Sequence, residues 1–159
     1  MKLEVEREFG FSYPGSVIEA VEFVQDVQRS LERVAFIKNL RLNDLDVFAD
    51  LGVDVPFIGE QRIDFHSRLE PQPDGANLIA LPGSGKAWAQ VAGQARVTPE
   101  DDHSSIQYAL RIAVYLTLPI GQSWGGRAFE KMAEATAARA IERMTEQFPE
   151  GVLAAMPKG

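Results

Sequence analysis

An arginine within an apolar strand face is the first residue of this sequence that could do chemistry. Arg7 shares that face with four apolar residues that alternate with charged ones: Leu3, Val5, Phe9 and Phe11. A guanidinium on a buried face requires a charge partner, or a cavity that supplies water or an anionic ligand. Arg7 is therefore half of an internal ion pair, or it snorkels past the sheet edge, or it contacts a ligand.

Two aromatic residues with polar tips are further candidates for a ligand site. Tyr108 lies on the apolar face of a strongly alternating segment, where its hydroxyl could bond a ligand or a buried carbonyl group. Trp124 stands beside Gly125 and Gly126 between two predicted elements. It either plugs the end of the sheet or gates the mouth of a pocket.

The residue types that most often carry catalysis or bind metals form no recognisable site. His66 and His103 fall on different elements without a nucleophile partner, so we expect no metal site and no catalytic residue. Cysteine is absent, which excludes disulfides and thiolate ligands. The segment Pro82–Lys86 is not a phosphate-binding loop, because Ala80 and Ala87 replace residues that the motif needs. We expect no cofactor.

Composition and charge limit the possible classes of function. The chain has 159 residues, 45% of them hydrophobic and 25% charged, which is typical of one globular domain spanning residues 1–159. A net charge of −7 argues against binding to nucleic acid or to an anionic membrane. No apolar run reaches the ~18 residues of a membrane span. Charged residues interrupt Met1–Phe11, where a secretory signal needs an apolar stretch, so we expect a cytoplasmic protein.

Changes in periodicity predict the elements that must position these residues. A first strand ends before Tyr13, and Ser16 with Glu19 forms a capping box that starts a helix. This helix is predicted to run to about Val34, with a possible restart at Asp26. The remaining sheet is predicted from two strands within residues 36–69, a short strand at 77–81, and longer strands at 86–98 and 105–119.

Small residues are frequent on the apolar faces of the last helix and of one strand. The helix is predicted over residues 127–148, stopped by Pro149 and Gly151. Its buried face is predicted to include Phe129, Met132, Ala133, Ala137, Ala140, Ile141 and Met144. The strand over residues 87–97 presents alanine, valine and glycine. Such residues either leave room for a ligand, with Ala133 and Ala137 lining it, or allow close packing without a void.

This order of elements resembles the START-like, or polyketide-cyclase-like (SRPBCC), superfamily of helix-grip proteins, which includes the Bet v 1 allergens. The resemblance covers nearly the whole chain. Its elements are the strand at 3–11, the helix start at 14–16, the hairpins at 41–98, the strand at 104–119, the Trp124 junction and the last helix. It implies an α+β fold with a curved antiparallel sheet of six or seven strands wrapped around a long C-terminal helix, and an apolar cavity between them.

The resemblance also implies a class of function. Members of the superfamily bind lipids, sterols, polyketides or hormones; some catalyse cyclisation or hydrolysis, and others assist assembly. The leading hypothesis is binding of a small, largely apolar, lipid-like or polyketide-like molecule without catalysis, through Arg7, Tyr108, Ala133, Ala137 and Trp124. One alternative is a cyclase or hydrolase that uses polar groups of the cavity. The other is an assembly or chaperone partner with a filled core.

Overall fold

The computed structural model of the chain describes residues 1–56, 59–117 and 126–158, without the side chains of residues 126, 127 and 129. The strands are β1 (Lys2–Tyr13), β2 (Ile37–Asn43), β3 (Asp46–Val55), β4 (Gly59–Gln72), β5 (Gly75–Leu81), β6 (Ala87–Pro99) and β7 (Ser104–Leu116). The helices are α1 (Val17–Gln25), α2 (Val27–Leu31), α3 (Gly126–Thr145) and α4 (Phe148–Ala155). None of these helices has an apolar stretch long enough to cross a bilayer.

The strands form one sheet in the spatial order β1, β7, β6, β5, β4, β3, β2, with antiparallel neighbours along that order. β7 pairs along its whole length with β1 on one side and β6 on the other. β4 also meets β6 at the parallel pair Phe65 and Ala89, where the hydroxyl of Ser67 donates to the carbonyl of Val91 at 2.6 Å. α3 packs against β1 and β3. The predicted α+β architecture of a curved antiparallel sheet and a long C-terminal helix is confirmed.

The start of the helical segment follows the sequence prediction. Ser16 Oγ accepts a hydrogen bond from the Glu19 backbone N–H at 3.2 Å, and the Glu19 carboxylate accepts one from the Ser16 N–H at 3.4 Å. These bonds satisfy amide donors that have no partner inside the helix. The restart is also present, since Asp26 caps α2 by accepting from the Arg29 N–H at 3.1 Å.

The prediction of two strands within residues 36–69 was wrong, because three strands lie there. Asp44 adopts a φ of 57°, which lets a two-residue turn join Asn43 of β2 directly to Asp46 of β3. In the sequence only two adjacent polar residues, Asn43 and Asp44, interrupt the alternation between Leu42 and Leu45. A hairpin with so short a turn therefore looks like one strand.

The predicted end of the last helix was also wrong. α3 ends at Thr145, and Phe148 begins the separate helix α4, with Pro149 in its first turn and Gly151 inside it. Proline fits the first turn of a helix, where its missing N–H would have no helical partner. Pro149 therefore marks a helix start, although we interpreted it as a stop signal.

Gly151 allows α4 to approach the segment that follows α2. A Cβ at this position would lie 2.4 Å from Val34 Cα and 2.7 Å from Val34 N. Both atoms belong to the backbone and cannot move as a flexible side chain would. The neighbouring Val152 is fully buried, so α4 is part of the core.

Replacing Gly151 by alanine should therefore destabilise the protein by ~1–3 kcal/mol through over-packing, although alanine favours a helix by ~1 kcal/mol. Urea denaturation measures the difference. Glu150→Ala, at the neighbouring exposed position, is the control and should change stability little. An increase in stability of Gly151→Ala would contradict the close contact with Val34.

Candidate functional site

A small apolar cavity lies between the inner face of the sheet and the helices α1, α2 and α4. Its volume is about 60 Å³. The helices contribute Val24, Val27, Ser30, Leu31 and Phe148, and the sheet contributes side chains that include Val47, Phe65, Leu69, Ala76, Val91, Ala95 and Tyr108. Of the two alternatives left open for the small residues of β6, the structure shows space beside them.

The pairing register explains why space is left at this place. Residues paired across neighbouring strands form a row of side chains on one face of the sheet. In one such row Tyr108 of β7 is opposite Ala95 of β6, which is opposite Ala76 of β5, so two of these three positions are alanine. In the next row Gly93 has no side chain, and a Cβ there would lie 2.6 Å from the carbonyl oxygen of Ala109. Close backbone approach thus requires glycine at this point of the cavity wall.

Tyr108 places a polar atom inside this apolar site. Its ring packs edge-on against Phe11 and Phe148, with centroid distances of 5.5 and 5.3 Å. The hydroxyl oxygen is buried and has no hydrogen-bond partner among the described residues. Burial raises the pKa of Tyr108 far above its usual 10.0, so the phenol stays neutral. A neutral hydroxyl here can donate to, or accept from, an oxygen of a bound molecule.

Arg7 lies on the inner face of β1, as predicted from the alternation. It is half-buried and stands opposite Leu110 of β7, next to the row that holds Tyr108. No carboxylate of the described residues forms an ion pair with it. The half-buried Leu78 and Leu110 lie in the same row, so solvent reaches the sheet between the cavity and Arg7.

The first half of α3 does not supply the cavity wall that we expected. Ala137 is buried and Ala133 is half-buried, but neither lines the described cavity. Met132 is 66% exposed, which corrects its predicted place on the buried face; the side chain of Phe129 lies outside the described part. No described side chain over residues 128–136 is buried. The helix therefore packs mainly through its second half.

The other predicted positions lie away from the cavity or outside the described residues. Trp124 lies outside the described residues. His66 is on the outer face, where Nε2 lies 3.0 Å from Asp46 Oδ1. The hydrogen bond with His66, helped by the charge of Arg68, lowers the pKa of Asp46. His103 lies in the turn before β7, with Nδ1 2.7 Å from Asp102 Oδ1.

Two residues of the site escaped the sequence interpretation. Phe148 was placed at the end of the last helix, although the spacing of Phe148, Val152 and Met156 by four residues indicates a further helix with its own buried face. Gly93 was counted only as a small residue. A glycine inside a strand pattern is a known signal of close backbone approach, and it could have indicated the cavity wall.

Comparison with known proteins identifies the fold. One protein family, described as a protein of unknown function (DUF3809), matches residues 8–146. No curated protein matches the chain. The Zhui aromatase/cyclase from Streptomyces sp. R1128 superimposes with a TM-score of 0.57 at 14% identity, over 95% of this chain and 92% of that chain.

Two further solved structures are similar over almost their whole length. A conserved protein from Geobacillus kaustophilus has a TM-score of 0.52 and 15% identity, covering 96% of this chain and 98% of its own. The protein TTHA0849 from Thermus thermophilus has a TM-score of 0.51 and 14% identity, covering 98% and 99%. At these identities the matches show the fold alone, which is the START-like helix-grip fold that the sequence predicted.

Tyr108→Phe should leave stability at pH 7 unchanged or raise it, because it removes a buried hydroxyl that no described group satisfies. The variant should also resist alkaline pH better. The unfolded phenol ionises near pH 10 while the folded one does not, so Tyr108 lowers wild-type stability by about 1.4 kcal/mol between pH 7 and pH 11.

Urea denaturation at pH 7 and pH 11 measures both effects. Tyr115→Phe is the control at pH 7, since the Tyr115 hydroxyl donates to Gln90 Oε1 at 3.3 Å and its loss should cost stability. A loss of more than ~1 kcal/mol in Tyr108→Phe would mean that the hydroxyl has a partner in solution.

Proposed function

The chain belongs to the DUF3809 family and has a START-like fold, and from this premise we propose that it binds a small, largely apolar molecule without catalysis. The ligand's apolar part occupies the cavity between the sheet and the helices, and its polar atoms contact Tyr108 and Arg7. The fold supports this proposal, because the curved sheet and the helices that cover it enclose the cavity between them.

The buried hydroxyl of Tyr108, which has no hydrogen-bond partner among the described residues, is the observation that carries the proposal. A hydroxyl buried without a hydrogen bond costs ~1–3 kcal/mol, whereas phenylalanine in its place would avoid that cost. A ligand oxygen that bonds the hydroxyl would offset the penalty only in the bound state. The proposed ligand is therefore apolar with at least one oxygen.

Arg7 does not line the 60 Å³ cavity, but it lies one row from Tyr108 on the same face of the sheet and is proposed to supply a second polar contact. Arg7 is half-buried, so its side chain is partly removed from water and is still accessible from solvent. A guanidinium in such a place binds carboxylate or phosphate oxygens more strongly than one in bulk water. An amphiphilic molecule with an acidic head and an apolar body fits this arrangement.

The chemistry of the cavity favours binding over a cyclase or hydrolase reaction. Among the described residues that line the cavity, Tyr108 alone has a titratable side chain. Burial raises the pKa of its phenol and keeps it neutral. Ser30 is a further hydroxyl in the lining, but no histidine or carboxylate of the described lining is present to take its proton. Hydrogen bonding and exclusion of water are what these groups can supply.

Native mass spectrometry of the purified chain, followed by extraction with organic solvent, tests whether a molecule co-purifies. We expect an adduct that disappears after extraction and a lower melting temperature of the extracted protein. If the purified chain has its calculated mass, and apolar alcohols and acids leave its melting temperature unchanged, the proposal is wrong.

Arg7→Met should weaken binding of decanoate on the order of tenfold, which is ~1.4 kcal/mol, while 1-decanol binds as before. Methionine keeps an apolar stem and removes the charge. Isothermal titration of both ligands against both proteins measures the difference.

Arg111→Met is the matched control, because it removes the same charge from the outer face of the sheet, where Arg111 pairs with Glu4 at 2.9 Å. It should alter binding of neither ligand. Equal weakening of both ligands by Arg7→Met would contradict the contact. A stability loss of ~3–5 kcal/mol in that variant would instead indicate an internal ion pair.

A further inference from the structure

Phe148 of α4 lines the cavity, and we infer that it sets the shape of ligand that the protein accepts. The buried part of the ligand is an unbranched aliphatic chain that carries an oxygen, such as a straight-chain alcohol or ketone, and cyclic molecules of the same size are rejected. This inference rests on the proposed function and deepens it.

The position of Phe148 makes it a wall of the cavity. The residue begins α4, is 3% exposed and lines the cavity from the side opposite the sheet. Its ring lies 5.2 Å from the ring of Phe9 and 5.3 Å from the ring of Tyr108. Phe148 is therefore in contact with the tyrosine whose hydroxyl the ligand oxygen is proposed to bond.

The anchoring of α4 holds this wall in place. Gly151 brings the α4 backbone against Val34, and Val152 is fully buried in the same turn of the helix. Withdrawal of Phe148 would break both contacts together with the packing on Phe9. The ring is therefore preorganised, and the cavity cannot widen on this side without moving the whole helix.

The volume of the cavity decides between a chain and a ring. An engineered apolar cavity of ~150 Å³ binds benzene, whereas this cavity has about 60 Å³. A six-membered ring needs its full width at one place. A chain can adapt its torsion angles, fill the narrow space with a few carbons and extend the rest toward the half-buried Leu78 and Leu110.

The test uses 1-hexanol and cyclohexanol, which have the same number of carbons and one hydroxyl each. Dissociation constants come from NMR titration of the full chain labelled with ¹⁵N, followed at the amides of residues 92–96 and 106–110. Wild type should bind 1-hexanol at least tenfold more tightly than cyclohexanol. In Phe148→Ala, which removes the ring, this ratio should fall to about two or reverse.

Two further variants keep the test decisive. Phe148→Leu removes less volume and should give an intermediate ratio, and it replaces the alanine variant if that one does not fold. Phe23→Ala is the control, because Phe23 is fully buried against Tyr13, at 5.4 Å between ring centroids, and does not line the cavity. The void that Phe23→Ala creates lies away from the cavity, so the ratio of the two dissociation constants should stay as in wild type.

The outcomes separate the inference from the proposed function. Equal affinity of wild type for both alcohols would overturn the shape limit and leave the proposed function standing. An unchanged ratio in both Phe148 variants would show that another residue sets the limit. If neither alcohol shifts these amides in any variant, both the proposed function and the inference are wrong.

Discussion

The register of β1, β7 and β6 is the constraint on which the rest of the structure depends. These strands pair residue by residue over twelve or more positions, and each side chain's face follows from that pairing. A slip by one residue would turn every side chain of a strand to the opposite face. A slip of β1 would turn Arg7 outward and its other charged residues inward, and a slip of β7 would turn Tyr108 outward. The hydrophobic pattern excludes this alternative, so the same interaction specifies both the core and the site.

Much of the sheet and part of the site could be predicted because strand alternation is a local signal. It placed Arg7 and Tyr108 on the inner face and identified the long strands around them. Elements defined by long-range packing were harder to predict. The turn at Asp44 interrupts the alternation by a single extra polar residue, and α4 packs where Gly151 approaches Val34, more than a hundred residues earlier in the chain. The exposed position of Met132 likewise depends on how α3 lies over the sheet, which periodicity cannot tell.

The position of α4 changes how this fold encloses its cavity. The long helix was expected to form the second wall, with Ala133 and Ala137 at the ligand. Instead α1, α2 and Phe148 of α4 cover the cavity, while the described side chains in the first half of α3 are at least partly exposed. The small residues of the sheet therefore face aromatic and branched side chains from short helices. A wall made of short, separately anchored helices permits the depth of the cavity to be set by a single residue.

The energetic cost of this arrangement favours a bound ligand. At about 24 cal/mol per Å³, an empty cavity of 60 Å³ costs about 1.4 kcal/mol. The Tyr108 hydroxyl, which none of the described residues bonds, adds ~1–3 kcal/mol. Together these terms are a considerable part of the ~5–15 kcal/mol that stabilises a typical domain. A ligand present at a hundred times its dissociation constant stabilises the folded state by ~2.7 kcal/mol, which is close to the combined cost. A sequence selected for stability alone would place phenylalanine at position 108 and a larger residue at position 95. Tyrosine at position 108 and alanine at position 95 fit the proposed ligand, which would fill the space and bond the hydroxyl.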